Sequence, residues 1–489
     1  MPKKIMLQGT MSNVGKSFLT AALCRIFRQD GYKVAPFKSQ NMALNSFITI
    51  NGEEIGRAQA LQAEAAGIVP TAYMNPILLK PTTDVGSQVI VNGKVRGNMR
   101  AADYFRYKKC LIPDIIAAYK KLESEFDIIV IEGAGSPVEL NLKKDDIVNM
   151  GLAELLKSPV LLVGDIDRGG VFAQLIGTLS LLEKNENELV KGLIVNQFRG
   201  DISLFSDGVK ILEEKSQKNV LGVIPYIETL LEDEDSLSGK FNNKSGDHDI
   251  EIAVIKLPKI SNFSDFDVLM QYSGVFVNFV SNPSQLIAPD MIIIPGTKST
   301  IADLKWLRES GFEEKIKQFS AAGVLLFGIC GGYQMLGSSI DDTIGCESGG
   351  VIKGMGGLEH KTIFCSEKKQ CQVSGKFDKI VDSYSFLSGA SFYGYEVHMG
   401  ETVSNDSRLL EHGGSYSHNI AGCYVHGLFD SADVSGRLIK ELFRRKGLQF
   451  NCDIIDRKEF RDQQLDLIAD IVRNNIDMSA IYRIIEEGV

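Results

Sequence analysis

Ile5-Met6-Leu7-Gln8-Gly9-Thr10-Met11-Ser12-Asn13-Val14-Gly15-Lys16-Ser17 reads as a buried strand running into a phosphate loop, and Phe18 to Arg28 continue it as a helix. Backbone N–H groups in such a loop cradle phosphate oxygens, the lysine sets a cation beside them, and the Ser17 hydroxyl is suited to Mg2+. The spacing is one residue longer than the usual G-x-x-x-x-G-K-[ST], with Thr10 standing where the first glycine is expected. Gly9, Thr10, Ser12, Gly15, Lys16 and Ser17 are therefore the candidate nucleotide contacts. A strand, loop and helix in this order belong to an open parallel α/β sheet, which sets the class of the N-terminal half.

Moving outward, Phe126-Asp127-Ile128-Ile129-Val130-Ile131-Glu132-Gly133 is an apolar strand with an acid at its end. A carboxylate there suits Mg2+ directly or through water, which makes Glu132 the candidate second metal ligand beside Ser17. Pro159 to Asp165 is another buried strand, followed by the polar, glycine-rich Gly164-Asp165-Ile166-Asp167-Arg168-Gly169-Gly170. Open α/β sheets bind ligands at that carboxyl edge. Gly192 to Phe198 repeats the pattern; Asn196 at its end either reads a nucleobase edge with its amide or simply forms a turn.

Beyond the strand Val220 to Ile224, the stretch Glu232 to Asp247 is polar and aperiodic, as a linker is. Ile250 to Ile255 starts a new sheet, and Met291 to Lys298 is a strand ending in the glycine turn at Gly296, whose backbone suits an oxyanion. Val324 to Phe327 then leads into Gly328-Ile329-Cys330-Gly331-Gly332, the pattern of a nucleophile elbow. A thiol with an ordinary pKa near ~8.5 is mostly protonated at neutral pH, so a catalytic cysteine needs a helix N-terminus or an imidazole. Gly331 to Leu336 offers the helix, with the Gly331 N–H as a second oxyanion donor. A buried cysteine packing as a small hydrophobe is the bland alternative, which the flanking glycines disfavour.

Among six histidines, His426 stands at the end of the short strand Ala421 to Val425 and before the loop Gly427 to Asp430, about a hundred residues beyond Cys330. That separation leaves room for a crossover to bring the two together. His398 is the second choice, with an interface, substrate-facing or purely structural role open to it.

At 489 residues the chain exceeds one ordinary core. The expected division is 1–230 as a nucleotide-binding domain, 231–249 as linker, 250–445 as a second α/β domain and 446–489 as a helical C-terminal tail. A net charge of −9 argues against a nucleic-acid surface, and no apolar run reaches the roughly 18 residues of a membrane span. Lys3 and Lys4 run directly into a strand with no signal-peptide core, and the eight cysteines show no C-x-x-C or zinc spacing. A cytoplasmic location with reduced thiols is expected; the oligomeric state is not legible.

The thiol elbow followed by a strand-end histidine resembles a class I glutamine amidotransferase, a flavodoxin-like domain that hydrolyses glutamine through a thioester. That class carries a Glu two residues after the His, where this chain has Leu428. Its absence is characteristic of the branch holding cobyric acid synthases and cobyrinic acid a,c-diamide synthases, which join such a domain to a dethiobiotin-synthetase-like ATPase; the Gly9-Thr10 opening resembles that ATPase. Pro36-Phe37-Lys38-Ser39-Gln40-Asn41-Met42-Ala43-Leu44-Asn45-Ser46, Glu54-Ile55-Gly56-Arg57-Ala58-Gln59, Asn75-Pro76-Ile77-Leu78-Leu79-Lys80-Pro81 and the Gly164–Gly170 loop look like the cobyric acid synthase family, and the likeness extends from Lys4 to about Arg445. It implies ATP, Mg2+ and glutamine, with adenosylcobyrinic acid a,c-diamide as the corrinoid amidated at its b, d, e and g carboxylates through acyl phosphates. A channel for ammonia is implied too. The rival activities are the a,c-diamide synthase and a ParA/MinD-like nucleotide switch. The switch lacks its expected early lysine here, since Gln8 and Gly9 stand in that vicinity, and it has no use for Cys330 and His426.

Overall fold

The structure, a computed structural model, describes residues 3–83, 86–227, 248–451, 453–454 and 456–489. The linker expected over 231–249 lies, apart from its last two residues, outside the described residues. The chain divides into two units, each assembled from separated stretches: Met1–Ala43, Glu53–Ser236 and Arg461–Val489 form the first, and Leu44–Gly52 with Leu237–Phe460 the second.

In the first unit six strands pair in the order Val220–Pro225, Val190–Phe198, Val160–Asp165, Lys3–Gly9, Ile128–Glu132, Val34–Phe37. Every neighbouring pair is parallel. Ile128–Glu132 and Val160–Asp165 are buried along their whole length, because helices cover both faces of such a sheet. The loop after Lys3–Gly9 therefore opens at the carboxyl edge of an inner strand, and helix Lys16–Gln29 packs down through Leu19, Leu23, Ile26 and Phe27.

Part of the expected tail belongs to this unit. From Arg461 onward, Leu465, Ile468, Val472, Ile481 and Ile485 recur at helical spacing and join the core of Ile5, Leu7, Leu23 and Phe27. Arg25 pairs with Asp462 at 3.1 Å and with Asp466 at 2.8 Å. At ~1.5–3 kcal/mol for each buried aliphatic side chain, those five contribute about 8–15 kcal/mol, the same size as a domain's net stability of roughly 5–15 kcal/mol. A polar-looking tail thus completes a core, and a linear reading treats it as an appendage because its apolar stripe has no sequence-local partner.

The second unit is built on seven strands in the order Val275–Val280, Ile250–Ile255, Met291–Ile294, Leu325–Ile329, Ile420–Cys423, Gly413–Ser417, Ser407–Leu410. The first five run parallel; Gly413–Ser417 is antiparallel to Ile420–Cys423, and Ser407–Leu410 is antiparallel to Gly413–Ser417. Leu325–Ile329 is fully buried at the middle of the sheet and ends at the cysteine. A further sheet pairs His360–Lys376 with Ser391–Ser404. The short stretch Leu44–Gly52 packs into this unit through Ile48, which shares a small apolar cluster with Tyr395 and Val397.

Candidate functional site

Each unit carries one site. In the first, Asn13 and Gly15 both have positive φ, 60° and 89°, which curls the backbone between strand and helix. A Cβ on Gly15 would fall 2.2 Å from the Asn196 side-chain nitrogen, so this position admits only glycine. Asn196 Nδ2 donates to the Val14 carbonyl at 2.8 Å, and Gln197 Nε2 to the Asn13 carbonyl at 3.1 Å. The structure places Asn196 as a brace of the loop, in contact with its backbone. Thr10 donates from its hydroxyl to Gln174 at 3.1 Å, Ser12 is exposed, and Gly9 lies close beneath the Lys16 ammonium. Lys16 Nζ donates to the carbonyls of Met11 and Gly135 at 2.9 and 3.2 Å, which holds the cation over the loop.

Glu132 meets this loop from the neighbouring strand. Ser17 Oγ donates to Glu132 Oε1 at 2.8 Å, Lys38 Nζ to the same oxygen at 2.9 Å, and Gln62 Nε2 to Oε2 at 2.6 Å. Burial opposes the charge, but Lys38 and these hydrogen bonds hold the carboxyl below its ordinary range. Ser17 and Glu132 are thus brought together as oxygen donors. They suit Mg2+, which takes one or two protein ligands and completes its shell with phosphate and water. No ready-made cage of three or more His, Cys, Asp or Glu occurs among the described residues.

In the second unit Cys330 sits between its strand and the helix Gly331–Leu336 with φ 50° and ψ −109°, a sparsely populated conformation for a residue with a side chain and the one an elbow requires. Its amide donates to the Cys423 carbonyl at 2.9 Å, locking the turn to the adjacent strand. His426 follows that same strand, so parallel pairing of Leu325–Ile329 with Ile420–Cys423 delivers thiol and imidazole to one edge. Gly296 lies against the ring: a Cβ there would stand 2.7 Å from His426 Cε1. Gly331 lies against Thr297, so the two backbone segments expected to bind an oxyanion flank the same turn.

Asp265 orients the histidine. His426 Nδ1 and Asp265 Oδ2 are 2.7 Å apart, and the Gly427 amide donates to Asp265 Oδ1 at 3.0 Å. Histidine and aspartate are both almost completely buried. Burial alone would push the imidazole down; the Asp265 carboxylate, and then Cys330, reverse this and raise it to about 10. Sequence reasoning missed Asp265. Its signal was the run Asn262-Phe263-Ser264-Asp265-Phe266-Asp267, polar residues interleaved with phenylalanines in the loop that follows the strand Ile250–Ile255, every one of which is buried. His398, by contrast, donates from Nδ1 to the Gly400 carbonyl at 2.7 Å and stacks on Tyr424 with ring centroids 3.7 Å apart. Its neighbour Val397 is the residue that reaches the thiol, the carbonyl accepting from Cys330 Sγ at 3.6 Å.

Two family models match successive stretches of the chain. Residues 5–238 match the CobQ/CobB/MinD/ParA nucleotide binding domain, and residues 251–434 the CobB/CobQ-like glutamine amidotransferase domain. The cobyric acid synthase of Lachnoclostridium phytofermentans is 53% identical over 514 residues, covering 100% of both chains. That of Ruminiclostridium cellulolyticum is 51% identical, covering 100% of this chain and 98% of its own. That of Clostridium acetobutylicum is 48% identical and covers 98% of each.

Proposed function

We propose a reaction for this chain from one premise: it belongs to the cobyric acid synthase family. Members of that family are ATP-dependent glutamine amidotransferases of cobalamin biosynthesis, and this chain is such an enzyme. The finer reading is that it amidates the b, d, e and g carboxylates of adenosylcobyrinic acid a,c-diamide through acyl phosphates, in the cytoplasm, with no nucleic acid or membrane partner. No helix among the described residues is long and apolar enough to cross a membrane. The observation that carries the reading is the pairing of a buried Cys330–His426–Asp265 set in one unit with a braced phosphate loop in the other.

In this mechanism Cys330 attacks the side-chain amide carbon of glutamine, and His426 takes the thiol proton at Nε2 while Asp265 fixes Nδ1–H. The oxyanion formed is met by the backbone at Gly331 and around Gly296. His426 returns its proton to the departing nitrogen, ammonia leaves, and water releases glutamate from the thioester. In the first unit a substrate carboxylate receives the γ-phosphoryl group of ATP, since a carboxylate oxygen is a poor leaving group until phosphorylated. Lys16 offsets the charge on that group, and the loop amides from Gly9 to Ser17 hold the remaining phosphates. Mg2+, which Ser17 and Glu132 would hold, supplies charge neutralisation between the phosphates when bound. Ammonia then attacks the acyl phosphate and phosphate leaves.

Mass spectrometry of adenosylcobyrinic acid a,c-diamide after incubation with enzyme, ATP, Mg2+ and glutamine tests this: four new amides are expected. In a parallel incubation with cobyrinic acid, amidation at positions a and c, with the a,c-diamide left unchanged, would assign the a,c-diamide synthase activity instead. A nucleotide switch of the MinD/ParA kind shares the N-terminal match but leaves the thiol, imidazole and carboxylate without a task. The Cys330→Ala enzyme should lose glutamine-driven amidation and keep the reaction with added ammonium.

A further inference from the structure

Beside His426, buried polar groups from widely separated stretches of the second unit close a ring. The Tyr395 hydroxyl donates to the Ser46 carbonyl at 3.0 Å and accepts from Asn262 Nδ2 at 3.0 Å. Asn262 Oδ1 in turn accepts from the Ser46 amide at 3.3 Å. One residue away, Asn45 Oδ1 accepts from the Phe263 amide at 3.3 Å. Asn45, Ser46, Asn262 and Tyr395 are all at most 5% exposed, so none of these bonds is shared with bulk water.

Both restraints on the catalytic imidazole lead back to this ring. The Tyr395 side chain stacks on His426 with centroids 5.5 Å apart and planes inclined by 24°. The two backbones also exchange hydrogen bonds of 3.0 and 2.8 Å. Asn262, with φ 53°, starts the one-turn helix Phe263–Phe266 by accepting from the Asp265 amide at 3.0 Å, and Asp265 is what holds His426 Nδ1. The ring plane and the carboxylate are therefore set from one asparagine, and that asparagine and the residue after it are clamped by Ser46 and Asn45, more than two hundred positions earlier in the chain.

We propose that the excursion Leu44–Gly52 is a positioning element of the glutaminase: Asn45 and Ser46, acting through Asn262 and Tyr395, hold His426 and Asp265 in register with Cys330. The amidotransferase fold as delimited by its own contiguous sequence is then incomplete, and its imidazole is aligned by residues lent from the N-terminal half of the chain. The inference rests on the reading of Cys330 and His426 as the glutaminase. None of the four residues is given contact with substrate, so their effect belongs in kcat rather than in KM.

The test uses the full chain with Tyr395→Phe, which keeps the stacked ring and removes the hydroxyl, Asn45→Ala, Asn45→Asp and the Tyr395→Phe/Asn45→Ala double variant. Since misplacing a catalytic group by about 1 Å costs on the order of a hundredfold, each disruptive single variant should lower glutaminase kcat by roughly tenfold to a hundredfold. KM for glutamine should stay within about threefold and ammonium-driven amidation should persist. The pH profile of Cys330 alkylation by iodoacetamide should move with kcat. Asn45→Asp, which keeps an acceptor oxygen, should recover most of the rate, and the double variant should be little worse than the poorer single one, because Tyr395 and Asn45 hold the same Asn262–Phe263 segment. Unchanged kcat in both singles, parallel loss of the glutamine and ammonium routes with a lower melting temperature, or full multiplication in the double variant would each overturn the proposal. Glutaminase activity surviving in Cys330→Ala would instead overturn the reading beneath it.

Discussion

Replacing Asp265 by Asn keeps the size of the side chain and removes its charge. In the wild type the carboxylate sits 2.7 Å from His426 Nδ1 with both groups buried. Removing one partner of such a pair strands the other, a cost of about 3–5 kcal/mol. The amide also offers an N–H toward Nδ1, which places the imidazole proton on Nε2, where it cannot take one from the thiol. Since a positioned general base is worth about 10²- to 10⁴-fold and the wrong tautomer forfeits it, glutaminase kcat should fall by roughly that factor. Glutamate release measures it, and ammonium-driven amidation by the same preparation should be unaffected. Stability supplies a second arm with a fixed sign. His426 is raised from 6.5 to about 10 in the fold, so its contribution is complete below about pH 6.5 and disappears as pH climbs through about 10. The melting-temperature gap between wild type and Asp265→Asn should narrow over that window. Glutaminase activity within threefold of wild type, or a gap that widens with rising pH, would refute the assignment of Asp265 as the partner that charges and orients the imidazole.

Lys16→Ala should stop amidation from glutamine and from ammonium alike, because both need the activated carboxylate; normal ammonium-driven product by mass spectrometry would refute the loop's role. Gly296→Ala forces a methyl to 2.7 Å from His426 Cε1, so glutamate release should fall at least about tenfold while the ammonium route survives. Asp303 is buried, which raises it from 3.8 to about 6 despite hydrogen bonds from Thr297 and the Lys259 amide. Ionising it in the fold is therefore unfavourable, wild-type stability falls from about pH 4 to 6, and Asp303→Asn should gain melting temperature over wild type across that range, with no gain below it. Removing residues 461–489 takes away about 8–15 kcal/mol of apolar burial from the first unit, so a circular-dichroism melt should lose that unit's cooperative transition.

The parts legible in the sequence were those whose chemistry is local. Gly15, Lys16 and Ser17 are consecutive, and Cys330 announces itself through the glycines on either side; a strand feeding a loop needs no distant partner to be recognised. Asp265 was not legible because it lies 161 residues before the histidine it serves, and a rule about position after the His pointed instead to Leu428, a core residue 1% exposed. Leu44, Asn45 and Ser46 were legible as the end of a motif, but nothing in the composition of Leu44–Gly52 says which unit the stretch joins. Asn196 invited two roles at its strand end, and only the 2.8 Å bond to Val14 shows it supporting the loop. The helices beyond Arg461 read as polar surface because their stripe of Leu465, Ile468 and Val472 has its complement at Ile5, Leu23 and Phe27.

That last arrangement imposes an order on biosynthesis. The sheet of the first unit leaves the ribosome early, but the helices that cover Leu23 and Phe27 follow only after residues 237–460 have been translated. At about 5–20 residues per second, those 224 residues take roughly 11–45 seconds. Throughout that interval the nascent nucleotide-binding unit presents an apolar face with no cover of its own. The second unit faces no such wait, since its borrowed strand Ser46–Ile48 is already made when its sheet emerges. Translation thus completes the chain of the glutaminase unit before that of the synthetase unit.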